Sequence, residues 1–204
     1  VHTILLSAHS EQLNAAVSLA NQILGVGYDL TTLFSIGVLV LVAQRLGAGD
    51  EPGARQIGGL AIRANGAFAL VVGLGIALLS PWLVSLVNAP AEIRDDTVLY
   101  VASVGASLVF HGLLVAATAV LRGFGHTIEI LLLGILANVA YLLLEYGLLF
   151  GAFGLPELGV LGAALATIIV RGVGVVLILW VLRRRLAVRA AAPARGAPRR
   201  TAEP

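Results

Sequence analysis

Four ionisable side chains, Asp29, His111, Glu145 and Arg171, fall inside long apolar stretches of this 204-residue chain. Placing such a group at the centre of a membrane helix costs roughly 2.5–3.5 kcal/mol on insertion scales, so each needs a role or a partner. Glu145 leads. Asn138 lies seven residues before it and Tyr141 four, which puts all three on one helical face. A carboxyl there, among neutral hydrogen-bonding groups, suits reversible protonation; the plain alternative is a buried packing residue. Arg171 stays charged, so it needs an anionic partner, with Glu145 or Asp29 available, or a wet cavity. Asp29 follows Gly25 and Gly27, where its long helix is expected to bend. His111 reads first as a hydrogen-bonded packing residue. Asn21, Gln22, Asn65 and Thr167 add neutral polar groups that a cavity could use.

The elements that hold these residues are apolar spans at 13–43, 57–87, 98–121, 128–150 and 158–182. A hydrocarbon core about 30 Å thick takes about 20 apolar residues of helix, so each span is long enough. Hydrophobic residues make up 59% of the chain and charged ones 12%, against about 25% charged in a soluble domain. The fold class is therefore all-α, a polytopic membrane bundle. Residues 1–7 read as the end of a first helix, with a polar loop at 9–14. The chain begins with Val1 rather than Met, which reads as a truncated start. Residues 1–189 form the transmembrane lobe. Residues 190–204, rich in Pro, Ala and Arg, read as a disordered tail or inter-lobe linker on the cytoplasmic side.

Charge alternates between the two ends. Arg45, Arg55, Arg122 and Arg183, Arg184 and Arg185 gather at one; Glu11, Glu92, Asp95, Asp96 and Glu157 gather at the other. The positive-inside rule puts the arginine end in the cytoplasm. A bacterial inner membrane is the expected location. The net charge of +2 is thus a membrane anchor, and no nucleic-acid partner is expected. With Cys 0 there is no disulfide or thiolate metal site. The glycines at 47–49 lack the Gly-Lys-Ser/Thr of a phosphate-binding loop, and no hydrolase elbow or HExxH occurs. An enzyme is not expected, nor a cofactor. Small residues such as Gly73, Gly105 and Gly162 are expected to let helix backbones approach, since lipid gives helices no hydrophobic reason to associate.

Several segments resemble multidrug and toxic compound extrusion (MATE) transporters, in family order. These are AAVSLANQI at 15–23, LVAQRLGAGD at 41–50, VLRGFGHT at 120–127 and LLFGAFGLPELGVLGAALAT at 148–167. The match is to the amino-terminal six-helix half, here five complete transmembrane helices plus the end of a first. The resemblance implies secondary active efflux of cationic or amphipathic small molecules, driven by inward proton or sodium flow. It also implies a second six-helix lobe as partner. Family counting aligns Glu145 with the helix-five acid, Tyr141 with the Asn one turn before it, Thr167 with the helix-six Thr, and His2 with the helix-one Asp. Asn138 is the nearest replacement for the missing amide. Sodium prefers several hard oxygens, whereas a Glu and a His, with ordinary pKa values of about 4.3 and 6.5, suit proton exchange. Protons are therefore expected over sodium. Two other readings stand beside this one: a lipid-linked saccharide flippase of the same superfamily, and a non-transporting membrane scaffold subunit.

Overall fold

The computed structural model describes the backbone of residues 2–151, 154, 156 and 158–191, and side chains from residue 15 to 186 apart from 16, 152, 153, 155 and 157. Six helices follow in order: α1 (His2–Gly47), α2 (Glu51–Leu86), α3 (Ala91–Ala106), α4 (Leu108–Gly123), α5 (Thr127–Phe150) and α6 (Val160–Ala191). Among the described residues there is no strand. Among the described residues four helices are long and apolar enough to cross a bilayer, and α3 with α4, bent by 44° at their junction, count as a fifth if taken as one span. The chain is thus a multi-pass membrane protein, with four to five of the expected spans. Most of the tail at 190–204 lies outside the described residues.

One boundary differs from expectation. The loop at 9–14 does not form, because α1 runs unbroken from His2 to Gly47. No Gly or Pro occurs before Gly25, so nothing in HSEQLN obliges the helix to stop.

Helix ends follow local chemistry. Asp50 caps α2: its Oδ1 accepts from the Gly53 N–H at 2.9 Å, and Arg45 donates to its Oδ2 at 2.7 Å. These donors, Arg45 first and the Gly53 N–H second, hold the Asp50 carboxyl below its usual range. Gly49 turns the chain before the cap at φ +77°. Within α2, Pro81 brings no N–H for the Ala77 carbonyl. The Ser80 hydroxyl donates to that carbonyl instead, at 2.9 Å, so the span continues to Leu86. At the α3–α4 bend, the Ser107 hydroxyl likewise donates to the Val104 carbonyl at 2.7 Å.

α1, α2, α3 and α4 pack against one another, while α5 leans mainly on α6. A Cβ at Gly73 would collide with the Gly105 carbonyl oxygen, so α2 meets α3 backbone to backbone. Two apolar layers result. One gathers Leu24, Val84, Tyr100, Val104 and Ala163; the other gathers Val42, Ile62, Ala116, Val120 and Ile178. α5 buries only Gly147, Leu148 and Leu149, leaving space along its inner flank.

Candidate functional site

A cleft of about 410 Å³ opens between α1, α3, α4, α5 and α6. From α5 come Asn138 and Tyr141; from α6, Thr167 and Arg171; from α1, Asn21 and Tyr28; and from α3, Tyr100. Three of the four tyrosines of the chain line it.

The helical period does its part on α5. The Tyr141 hydroxyl donates to Glu145 Oε1 at 2.8 Å, one turn away. Glu145 is half-buried. Glu145 does not itself line the cleft; the Tyr141 hydroxyl, whose residue does, links it to the lining. Asn138 spends its amide N–H on the Gly134 carbonyl of its own helix, at 3.0 Å, and does not bond Glu145. Across the cleft, Thr167 is 5% exposed and donates to the Ala163 carbonyl at 3.0 Å. Its side chain also interacts with the hydroxyls of Tyr100 and Tyr141.

Arg171 follows Thr167 by one turn of α6. Among the described residues it forms no ion pair with Glu145 or Asp29, so of the two expected environments it has the cavity. Its guanidinium carbon sits 4.5 Å from the centre of the Tyr28 ring. A cation over an aromatic face gains about 0.5–2 kcal/mol, increasing with desolvation, which accounts in part for a charge at this depth. Tyr28 also meets His111, ring centres 4.7 Å apart and tilted by 48°. Arg171 Nη1 and His111 Nε2 are both buried without a hydrogen-bond partner. His111 is thus an aromatic packing residue with a spare nitrogen.

Asp29 and Gln22 are not part of this cleft. Both are exposed on α1, seven residues apart and therefore on one face. His2 lies on the backbone of α1, and its side chain is outside the described residues. Tyr28 and Tyr100 were not singled out by spacing. The available signal was their type: a Tyr hydroxyl buried in a span needs a partner.

A second buried polar cluster lies one to two turns further along α1. Asn65 is 0% exposed, and its Nδ2 faces Gly112 O at 2.9 Å, Ser35 Oγ at 3.0 Å and Thr31 O at 3.3 Å. Ser35 itself donates to the Thr31 carbonyl at 3.1 Å. One amide thus ties α2 to α1 and α4. At the arginine end, Arg185 pairs with Glu129 at 2.6 Å and joins α6 to the start of α5.

This geometry has relatives. A probable multidrug resistance protein NorM of Thermotoga maritima is 30% identical over 188 residues, which is 90% of this chain and 39% of that protein. An uncharacterized transporter YisQ of Bacillus subtilis is 26% identical over 184 residues, again 90% of this chain and 40% of the relative. The inward-facing structure of a multidrug resistance MATE family transporter of the MOP superfamily superposes with a TM-score of 0.77 at 21% identity, over 90% of this chain and 42% of that one. The chain therefore spans about two-fifths of the length of these relatives. The family model MatE matches residues 1–147, well over half of the chain. By that match, and with the helical lobe of a solved member reproduced in its fold, the chain belongs to the MATE family of transporters.

Proposed function

We propose that the chain forms one lobe of a secondary active exporter of cationic or amphipathic small molecules, driven by inward proton flow, with Glu145 as the proton carrier. The observation that carries this reading is the Tyr141–Glu145 hydrogen bond at the edge of a polar cleft inside an otherwise apolar bundle. As a carboxylate, Glu145 accepts from Tyr141. Once protonated, it carries a donor of its own and holds the Tyr141 hydroxyl less strongly, because charge-assisted hydrogen bonds are about twice as strong as neutral ones. The α5–α6 pair then has two bonding arrangements that a proton selects between. Transport follows only if substrate binds the two arrangements unequally, tenfold in affinity for each 1.4 kcal/mol.

Protons are favoured over sodium because Arg171 already places a fixed positive charge in the same cleft. A metal cation there would be repelled, and the remaining lining groups are neutral. Asp29 and Gln22 offer a cationic substrate a carboxylate and an amide on the outer face of α1. A carboxylate exposed in mid-span belongs against water or protein rather than lipid, which a second six-helix lobe would supply. Two lobes rocking about such a space give alternating access. The arginine-rich end faces the cytoplasm in this reading, within a bacterial inner membrane.

The test is dye efflux by the full-length protein under an imposed pH gradient, with and without sodium. Glu145→Gln is expected to lose the pH-driven component, whereas sodium changes nothing. Unchanged pH-driven efflux in that variant would overturn the proposal.

A further inference from the structure

We infer that the cleft at Arg171, together with the apolar cavity beside it, binds an amphipathic oxyanion: a carboxylate or phosphate head on an apolar chain. This takes the transport reading as its frame but depends on different observations. Arg171 is the only charged side chain lining the cleft among the described residues. Among the described residues it has no ion-pair partner, and its Nη1 has no hydrogen-bond partner. Around it stand neutral groups with hydrogens to donate, the hydroxyls of Tyr28 and Tyr100 and the amide of Asn21. A guanidinium that lines the cleft without a carboxylate beside it, among residues carrying hydroxyls and an amide, matches the oxygens of a carboxylate or phosphate. The same field opposes a cationic head.

The second half of the site is the adjoining cavity of about 570 Å³ between α4, α5 and α6. Its lining is almost wholly apolar, with Leu133, Leu144, Ile169, Val173 and Leu177 among it. The two spaces share Leu114, Gly134, Ala137, Val170 and Arg171, so they adjoin along that wall. A chain lying in the apolar cavity ends with its head at the guanidinium. Neither space alone selects an amphiphile; their junction at Arg171 does.

Gly134 gives a clean way to block the junction. A Cβ there meets nothing within 4 Å, so a larger side chain enters open space without displacing a neighbour. Leu is also the better helix former.

The experiment is equilibrium binding, without any ion gradient, to the full-length protein in phosphatidylcholine nanodiscs. Dodecanoate and dodecyl phosphate are compared with dodecyltrimethylammonium, which has the same chain and the opposite charge. Arg171→Gln is expected to weaken both anions at least tenfold and to leave the cation unchanged, and Gly134→Leu to weaken the anions while leaving the protein folded. Repeating the titration in phosphatidylglycerol nanodiscs identifies the source. Competition marks a membrane lipid as the resident ligand; undiminished binding marks a free amphiphile. Both results support the head-group chemistry. Dodecanoate binding that neither substitution alters overturns the inference, as does ammonium binding that Arg171→Gln weakens as much as it weakens dodecanoate. Because no gradient is applied, failure here leaves proton coupling through Glu145 standing, and failure of Glu145→Gln leaves this site standing.

Discussion

Two buried polar regions share the interior of this bundle and are built in opposite ways. Around Asn65 three helices close on one amide, with its N–H groups turned to acceptors on α1 and α4. Around Arg171 five helices contribute, yet the cation lies over a ring at the wall of a cleft rather than against a carboxylate. Both arise from polar residues in apolar spans, and both lie near the same glycine-mediated contacts. The difference lies in packing density. Where α1, α2 and α4 meet at Gly112, a single added Cβ would already overlap Ala69. Where α5 leans mainly on α6, a cleft remains beside the polar groups. A buried polar residue in a membrane helix is thus glue or site according to the volume beside it.

The comparison breaks most sharply at Gly112. A Cβ there would overlap the Ala69 Cβ and press on the Asn65 carbonyl oxygen at 3.0 Å. Gly112→Val is expected to destabilise by about 3 kcal/mol or to prevent folding, because overpacking a tight contact costs roughly 1–3 kcal/mol or more. Yield and thermal midpoint in detergent measure it. Asn65→Ala comes next. Interhelical hydrogen bonds in membranes average about 0.6 kcal/mol and reach about 1.7, so a loss of about 1–2 kcal/mol is expected in the same assay. The pH profile of efflux should keep its shape. Arg171→Gln sharpens the contrast from the other side. With no ion pair to lose, its thermal midpoint should stay near that of the parent, within about 1 kcal/mol, since only the ring contact is given up. Should Arg171→Gln destabilise more than Asn65→Ala, the division into glue and site fails.

The smallest effect belongs at the rim. Asp50→Asn keeps a capping side chain but loses the charge that Arg45 meets. The Asp50 carboxyl is held below its usual range, so the folded state favours the ionised form. Its contribution is complete above the unfolded value of about 3.9 and is lost as pH falls through the lower folded value. The thermal midpoints of parent and variant should differ slightly at pH 6 and coincide at strongly acidic pH.

Much of this was legible in advance. The α5 face of Asn138, Tyr141 and Glu145 follows from a period of 3.6, and the Tyr141–Glu145 bond realises it. Thr167 and Arg171 stand one turn apart on α6 for the same reason and both reach the cleft. Less accessible were Tyr28 and Tyr100, which come from α1 and α3 and meet α6 only after packing. The direction of Asp29 was equally hidden: adjacent to Tyr28 in sequence, it points about 100° away around the helix and leaves the cleft. Asn138 shows the limit of spacing. It shares the right face, but its amide is satisfied by Gly134 one turn back.

Composition and period were enough to make this chain a set of membrane-crossing helices and to put a carboxyl, a hydroxyl and a guanidinium at defined heights along them. Those are local properties, set by how many apolar residues span a bilayer and by the turn of one helix. Whether Arg171 would meet a carboxylate or a cavity was a long-range matter. It was settled by how closely backbones could approach at Gly73, Gly105 and Gly112, and by the loose seating of α5, since interhelical distance depends on pairs of surfaces that no single stretch of chain contains.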